Sequence, residues 1–140
     1  MRRQILIQAE HQFIEGDALH WWHKETGRGI RTRFSDDLLW LVYVVCEYIN
    51  FTGDYSILDE EVSYVQGAEL EDGIDEKYDE YKSSDIKESI YKHCIRAIER
   101  ALRFGEHGLP KIGSGDWNDG FNTVGNKRQG RKCLAGIFFV

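Results

Sequence analysis

An apolar residue recurs at every fourth position between residues 85 and 104, and this repeat constrains the fold more than any other feature of the chain. The repeated residues are Ile86, Ile90, Cys94, Ile98 and Leu102. Apolar residues four apart lie on one face of an α-helix, so the pattern predicts a helix over residues 85–104, which begins after two serines and ends at a glycine.

Three other segments also show helical patterns, at residues 2–15, 36–50 and 55–66. The segment 36–50 is apolar nearly all round, which predicts a helix buried between neighbours. Strand patterns are weak, and the acidic stretch 69–80 indicates a solvated loop. We therefore expect an all-α chain, and its 140 residues form one domain at most.

The charge balance argues against nucleic acid as a partner, because the formal net charge is −6. The longest apolar run, residues 38–46, is too short to cross a membrane, and the N-terminus lacks the apolar run of a signal peptide. Of the three cysteines, Cys46 and Cys94 lie in apolar helical patterns and are predicted to be buried thiols. Because Cys133 makes the number odd, we expect no disulfide framework but a reducing compartment, which predicts a cytoplasmic location. The short apolar run predicts that this segment does not contact a membrane.

The stretch GSGDWNDGFN, residues 113–122, carries the clearest chemical signal. Asp116 and Asp119 flank Trp117 and Asn118, and the glycines on both sides allow tight turns and close approach of a ligand. An indole can stack on the apolar face of a sugar ring, while carboxylates and amides bind its hydroxyls. A surface turn rich in Asp, Asn and Gly is the alternative, but such a turn does not need the indole.

A second cluster combines aromatic, basic and acidic side chains in HWWH, residues 20–23, and GRGIRTRFSDDLLW, residues 27–40. Taken singly, HWWH is explained by an aromatic core and Asp36 by the first turn of a helix, where the dipole favours a carboxylate. Considered together with the later DWND stretch, this cluster favours a ligand site, because unpaired Arg and Asp side chains amid so much apolar sequence would be costly to bury.

These motifs together resemble glycoside hydrolase family 94, and the resemblance runs from about residue 2 to residue 130. It is carried by EGDALHWWH, GRGIRTRFSDDLLW, TGD and GSGDWNDGFN. The family contains inverting phosphorylases of β-linked glucosides such as cellobiose, chitobiose and β-1,2-glucan, and the phosphorylase domain of cyclic β-1,2-glucan synthases. The HWWH and GIRTRFSDDLLW motifs are closest to the β-1,2-glucan and chitobiose branches. The resemblance implies an (α/α)6 barrel catalytic domain, of which residues 1–140 are a central piece truncated at both ends.

The resemblance also implies roles for individual residues. Asp119 matches the general acid, and Trp117 matches a residue that lines the sugar site. Arg31 and Asp37 match the pair that holds the donor glucosyl hydroxyls. The remaining motif residues are expected to support or shape the site: Arg28, Arg33, Asp36, Asp116 and Asn118.

An inverting phosphorylase needs one acid rather than the usual two carboxyl groups, because phosphate is itself the nucleophile. Asp119 would protonate the glycosidic oxygen while phosphate attacks the anomeric carbon from the opposite face. Its pKa must then lie well above the usual value of about 4, and both Trp117, by desolvation, and the charge of Asp116 would raise it. The expected partners are a β-linked oligosaccharide and inorganic phosphate as co-substrate, with no metal or other cofactor, and full-length family members are often homodimers.

The chain departs from the family in length and in its tail. Family enzymes are several-fold longer and carry most phosphate-binding residues in a later part of the barrel, so we expect the isolated chain to be inactive. After DWNDGFN, the tail GRKCLAGIFFV, residues 130–140, replaces the Gly-Glu-Ser stretch that is usual in the family.

Two metal sites and one non-catalytic function are the alternatives. A calcium loop from Asp116 fails because its glycine comes one residue early and Lys127 stands where a glutamate is needed. A zinc site at His20 and His23, whose spacing fits one face of a helix, lacks a third ligand. A carbohydrate-binding or remnant fragment without turnover remains as the rival function, because the phosphate site is missing.

Overall fold

The computed structural model of the chain describes residues 1–105 and 108–115. The chain begins with helix α1 (Arg2–Ala9), strands β1 (Leu19–His23) and β2 (Arg28–Thr32), and helix α2 (Trp40–Thr52). A 3₁₀ helix (Tyr55–Asp59) then leads to strands β3 (Glu61–Gln66), β4 (Glu76–Glu80) and β5 (Lys82–Ser89), and helix α3 (Ile90–Ala101) follows β5 directly.

The strands form two antiparallel sheets, so the prediction of an all-α chain is wrong. One sheet has the order β1-β2-β4, with β2 in the centre, and the other pairs β3 with β5. Three short helices and two sheets, within the part of the chain that the structure describes, make a mixed α/β arrangement and not the paired helices of an (α/α)6 barrel.

The predictions fail for two of the helices, 55–66 and 85–104, because each range contains a strand that directly adjoins a helix. The second half of the predicted helix 55–66 is β3, whose Val62 and Val65 have the β-branched side chains that strands favour. The first part of the predicted helix 85–104 is β5, and Ile86, the first residue of the four-residue repeat, is 51% exposed there. The helical stripe therefore begins only at Ile90, after Ser89 caps α3 by accepting from the Lys92 backbone N–H.

The other predicted helices exist but are shorter. α1 begins as predicted at residue 2 and ends at Ala9, before the chain turns back so that Gln12 bridges to Ala18. α2 begins at Trp40 and exposes one face, so it is not buried all round as predicted. Cys46 lies on this exposed face, which contradicts its predicted burial, whereas Cys94 on α3 is buried as predicted and its burial raises the pKa of the thiol to about 12.

A core between the three helices and β3 supports the region that carries the motifs. Its buried members are Ile5, Ala9, Leu41, Val45, Ile57, Val62, Ile90 and Cys94. A second cluster of Phe13, Leu19, Val65 and Tyr81 joins β1 to β3. Each buried aliphatic side chain stabilises the fold by about 1.5–3 kcal/mol relative to an exposed one. The segment between β2 and α2, which contains RFSDD, is thereby held between a sheet and a helix that both contribute to the core.

Candidate functional site

Asp37 lies between β2 and α2, and two neighbouring side chains hold its carboxylate. The Nδ1 atom of His20, on β1, lies 3.0 Å from Oδ1 and 3.1 Å from Oδ2. The hydroxyl of Thr32, at the end of β2, donates to Oδ2 over 2.9 Å. The Asp37 side chain is only 14% exposed, so the surrounding elements set the orientation of the carboxylate. A carboxylate accepts about four hydrogen bonds, which leaves capacity for a ligand hydroxyl.

The Asp37 carboxylate borders a cavity of about 270 Å³. The cavity lies between α1, α2 and β1, and its lining residues include Trp40, Gln4 and Gln8. Ligand pockets of small molecules begin at roughly 300 Å³ and combine apolar walls with a few polar groups. The cavity therefore has about the size and composition that a small polar ligand requires.

Asp36 belongs to the entry of α2. Its Oδ2 accepts from the indole Nε1 of Trp40 over 3.0 Å, and its backbone carbonyl accepts from the N–H groups of Leu39 and Trp40. The residue is 4% exposed. These bonds fix the backbone next to Asp37, and the supporting role of Asp36 stays a prediction.

Arg31 is buried in an ion pair with Asp17. Its Nε and one terminal nitrogen donate to the two Asp17 oxygens over 2.6 and 2.7 Å, and its side chain is 1% exposed. Glu15 and the carbonyls of Gly67 and Ala68 accept its remaining N–H bonds. Burial alone would lower the pKa of Arg31, but the hydrogen bonds and charges of the two carboxylates outweigh burial and raise it.

All five N–H bonds of Arg31 are thus occupied within the protein, and no hydrogen bond joins Arg31 to Asp37 in the described ranges. The guanidinium also lies 3.7 Å from the centre of the Phe13 ring. To contact a sugar hydroxyl, Arg31 would have to release one of these partners. Its role in substrate binding stays a prediction.

Arg33 and Arg28 differ in what they contact. Arg33 donates to the carbonyls of Leu70, Glu71 and Ile74, so it shapes the loop before β4. Arg28 is exposed and pairs in register with Glu80 at the edge between β2 and β4. The contacts of Arg33 are thus to the loop backbone and those of Arg28 to the sheet, and the supporting roles predicted for both stay predictions.

The first residues of the GSGDWNDGFN stretch pack directly on the RFSDD segment. Phe34 and Gly113 form an antiparallel bridge, and the Ser35 N–H donates to the Gly115 carbonyl over 3.3 Å. Gly113 has a φ of +69°, and a Cβ there would lie 2.2 Å from the Arg33 carbonyl oxygen. A Cβ at Gly115 would lie 2.7 Å from the Phe34 ring. Only glycine fits at both positions because residues 33 and 34 approach so closely. The GSGDWNDGFN and RFSDD motifs therefore meet in space.

Two hydroxyls at this contact are buried without a partner. Ser35 Oγ and Ser114 Oγ have no hydrogen-bond partner, as far as residues 1–105 and 108–115 show. They lie beside the junction that leads from Gly115 into the DWND residues. Asp116, Trp117, Asn118 and Asp119 fall outside the described residues, as does Cys133, so the roles predicted for them stay predictions.

Sequence reasoning assigned no role to Asp17 and considered His20 only as a zinc ligand. His20 and His23 lie on a strand and not on a helix, and His20 faces a carboxylate. Asp17 stands in the EGD of the first motif, three residues before His20, but no periodicity links it to Arg31. Within the described residues, no group of three or more His, Cys, Asp or Glu side chains could hold a metal ion, and no helix is long and apolar enough to span a membrane.

Comparison with known proteins agrees with the motifs. The model of the glycosyl hydrolase 94 superfamily catalytic domain matches residues 1–140. The chain is 43% identical over 143 residues to the cyclic beta-(1,2)-glucan synthase NdvB of Rhizobium meliloti, covering 99% of this chain and 5% of that protein. It is 30% identical to the N,N'-diacetylchitobiose phosphorylase of Vibrio proteolyticus over 71% of this chain, and 32% identical to the cellobionic acid phosphorylase of Neurospora crassa over 69%.

The chain spans only 5% of the first of these relatives and 10% of each of the other two. The family match nevertheless covers its whole length, and the relatives named above include two glycoside phosphorylases. The resemblance inferred from HWWH, RFSDD and DWND is thereby confirmed. This chain belongs to the glycosyl hydrolase 94 superfamily.

Proposed function

We propose that the chain is part of the catalytic domain of a glycoside phosphorylase. The reaction is the reversible phosphorolysis of a β-linked gluco-oligosaccharide, which releases an α-sugar 1-phosphate with inversion. Two kinds of support converge: the family match covers the whole chain, and the relatives include phosphorylases of chitobiose and of cellobionic acid.

The packing of Gly113–Gly115 on residues 33–35 is the observation that carries this proposal. Asp37 follows Ser35 by two residues, and Asp119 follows Gly115 by four. Four extended residues span at most roughly 14 Å, so covalent geometry keeps the Asp119 backbone within that reach of Gly115. A carboxylate that binds sugar hydroxyls and a carboxyl group that donates a proton can therefore serve one bound glucoside.

In this mechanism Asp119 protonates the glycosidic oxygen as phosphate attacks the anomeric carbon. Phosphate supplies the nucleophile, so no second carboxylate is needed to activate water. In the reverse direction the Asp119 carboxylate removes a proton from the acceptor hydroxyl while a sugar 1-phosphate donates its glycosyl unit. Trp117 lines the sugar site, and Asp116 and Asn118 support it.

Asp37 holds the donor sugar by accepting from adjacent hydroxyls, since the carboxylate retains acceptor capacity beside His20 and Thr32. Arg31 keeps its proposed place in the donor site, with the ion pair to Asp17 as its resting arrangement. Inorganic phosphate is the co-substrate, and no metal or organic cofactor enters the scheme.

A β-1,2-linked glucan is the proposed substrate class, because identity to the cyclic beta-(1,2)-glucan synthase is 43% against 30% and 32% for the two phosphorylases. We further propose a cytoplasmic location, no nucleic acid partner, no membrane contact from this segment, and a homodimer for the full-length protein. Size-exclusion chromatography of the complete protein tests the dimer.

The test is the Asp119→Asn variant of the complete gene product that contains this chain. Sugar 1-phosphate released from β-1,2-glucan and phosphate is measured, and the loss of a general acid should lower the rate by about 10²–10⁴-fold. Asp59→Asn is the matched control, since Asp59 is an exposed aspartate at the end of the 3₁₀ helix.

Three results would refute the proposal. Sugar release that does not depend on phosphate would indicate a hydrolase. Glucan binding without turnover by the unmodified protein would favour the non-catalytic alternative. An equal rate for the Asp119 variant and its control would remove Asp119 from the mechanism.

A further inference from the structure

We propose that His20 is a positioning residue that orients the Asp37 carboxylate for the sugar and couples it to the loop leading into DWND. The inference rests on the proposed function, because it assumes that Asp37 binds the donor. The contribution of His20 to that function depends on its Nδ1 atom.

The geometry defines the protonation of the His20 ring. Nδ1 lies within 3.1 Å of both Asp37 oxygens, and a carboxylate only accepts hydrogen bonds. The proton must therefore sit on Nδ1, and His20 donates it to Asp37 whether the ring is neutral or charged. Hydrogen bonds to an ionised group are the strong ones, so this bond is well suited to fix the carboxylate.

Thr32 approaches the same carboxylate from the sheet. Its hydroxyl donates to Oδ2, and the residue is buried with 5% exposure. His20 lies on β1 at the register shift between Leu19 and Trp21, and Thr32 ends the neighbouring strand β2, so the two donors reach Asp37 from adjacent strands. Together they orient the carboxylate of Asp37 and leave its remaining acceptor sites for a ligand.

The His20 ring is itself held by Phe34. The two ring centres lie 4.9 Å apart in an edge-to-face arrangement with an interplanar angle of 68°. The Phe34 ring in turn packs against Gly115, where a Cβ would lie 2.7 Å from it. A chain of contacts therefore runs from Asp37 through His20 and Phe34 to the residue directly before Asp116.

The His20 imidazole makes two separate contacts, one through its ring and one through its Nδ1 atom. The ring packs on Phe34, and Nδ1 donates to Asp37. His20→Phe keeps a ring but removes the donor, whereas His20→Asn removes the ring but places an amide N–H near the position of Nδ1. A role in packing alone predicts that Phe is tolerated better than Asn, and the positioning role predicts the opposite order.

The experiment measures phosphorolysis of β-1,2-glucan by the complete protein that carries this chain. We expect His20→Phe to lower kcat/KM by about 10- to 100-fold, the equivalent of a hydrogen bond to a charged group. His20→Asn should stay within about threefold of the unmodified protein. The matched control is His23→Phe on the same strand, because the His23 side chain is exposed and its ring contacts Trp21.

A double variant tests whether His20 acts through Asp37. In an Asp37→Asn background, His20→Phe should cause little further loss, because the partner of Nδ1 has already been changed. Additive losses would overturn the inference, as would Phe exceeding Asn in activity. If the unmodified protein shows no phosphorolysis, the proposed function fails first. If Asp37→Asn is impaired but His20→Phe is not, only this inference fails.

Discussion

Replacing Asp17 by asparagine should destabilise the chain by about 3 kcal/mol, because it leaves the Arg31 guanidinium buried without its principal partner. Asp17 accepts two of the five N–H bonds of Arg31, over 2.6 and 2.7 Å. The side chains are 1% and 8% exposed, so water cannot replace the lost carboxylate. Removing one partner of a buried ion pair costs about 3–5 kcal/mol, and Glu15 should hold the loss near the lower end.

The assay is the free energy of unfolding, obtained from urea titrations followed by tryptophan fluorescence. Glu15→Gln is the matched control, because Glu15 accepts from the same guanidinium over 3.0 Å but its side chain is 30% exposed. An ion pair of that exposure contributes about 1 kcal/mol or less. Each variant removes one carboxylate charge that faces Arg31, and the two variants differ mainly in how deeply the lost carboxylate is buried.

Equal losses for the two variants would refute this reasoning. Equal losses of unfolding free energy would mean that burial does not determine how much the Asp17–Arg31 ion pair stabilises the chain. A loss below about 1 kcal/mol for Asp17→Asn would mean that Arg31 finds another acceptor without cost.

The remaining predictions concern a glycine and a glutamate. Gly113→Ala should destabilise the chain by about 1–3 kcal/mol, because φ is +69° and a Cβ would lie 2.2 Å from the Arg33 carbonyl oxygen. Gly53→Ala is the control in the same urea titration, since Gly53 also has φ +69° but has nothing within 4 Å of its Cβ position, and a loss as large as that of Gly113 would exclude the contact as the cause. For Glu88, the hydrogen bonds from Arg96 lower the pKa from 4.5 to about 2, so its stabilisation is complete above pH 4.5 and is lost as the pH falls through about 2. The difference in unfolding free energy between the unmodified chain and Glu88→Gln should shrink over that interval, and a difference independent of pH would contradict the ion-pair explanation.

Several parts of the site could be predicted from local sequence. A helix follows RFSDD as predicted, but it begins at Trp40 and not at residue 36, so neither Asp36 nor Asp37 lies in its first turn. Asp36 still contacts the helix, because it accepts from the indole of Trp40. The glycines of GSG were expected to permit tight turns and close approach of a ligand, and in the structure Gly113 and Gly115 are approached closely by residues 33–35 of the chain itself. These features depend on short segments, where backbone sterics and hydrogen bonding at a helix start act over a few residues.

The fold class could not be predicted in the same way. An apolar residue at every fourth position suits a helix, but every fourth position also lies on one face of a strand, because strand side chains alternate with a period of two. Ile86 and Ile90 fit both patterns, and pairing of β5 with β3 decides that the helix begins only after Ser89. Such pairing depends on a partner some twenty residues away, which a local pattern does not contain.

The sequence by itself determined the family, the chemical character of the motifs and the approximate positions of the helices, because these reside in contiguous residues. Only the tertiary structure decided which side chains meet. It directs Arg31 to Asp17 and brings His20 to Asp37, two contacts that the sequence motifs did not indicate. The physical reason is that strand pairing and core packing place a buried charge beside the partner that offsets its desolvation, and that partner lies wherever the sheet register puts it.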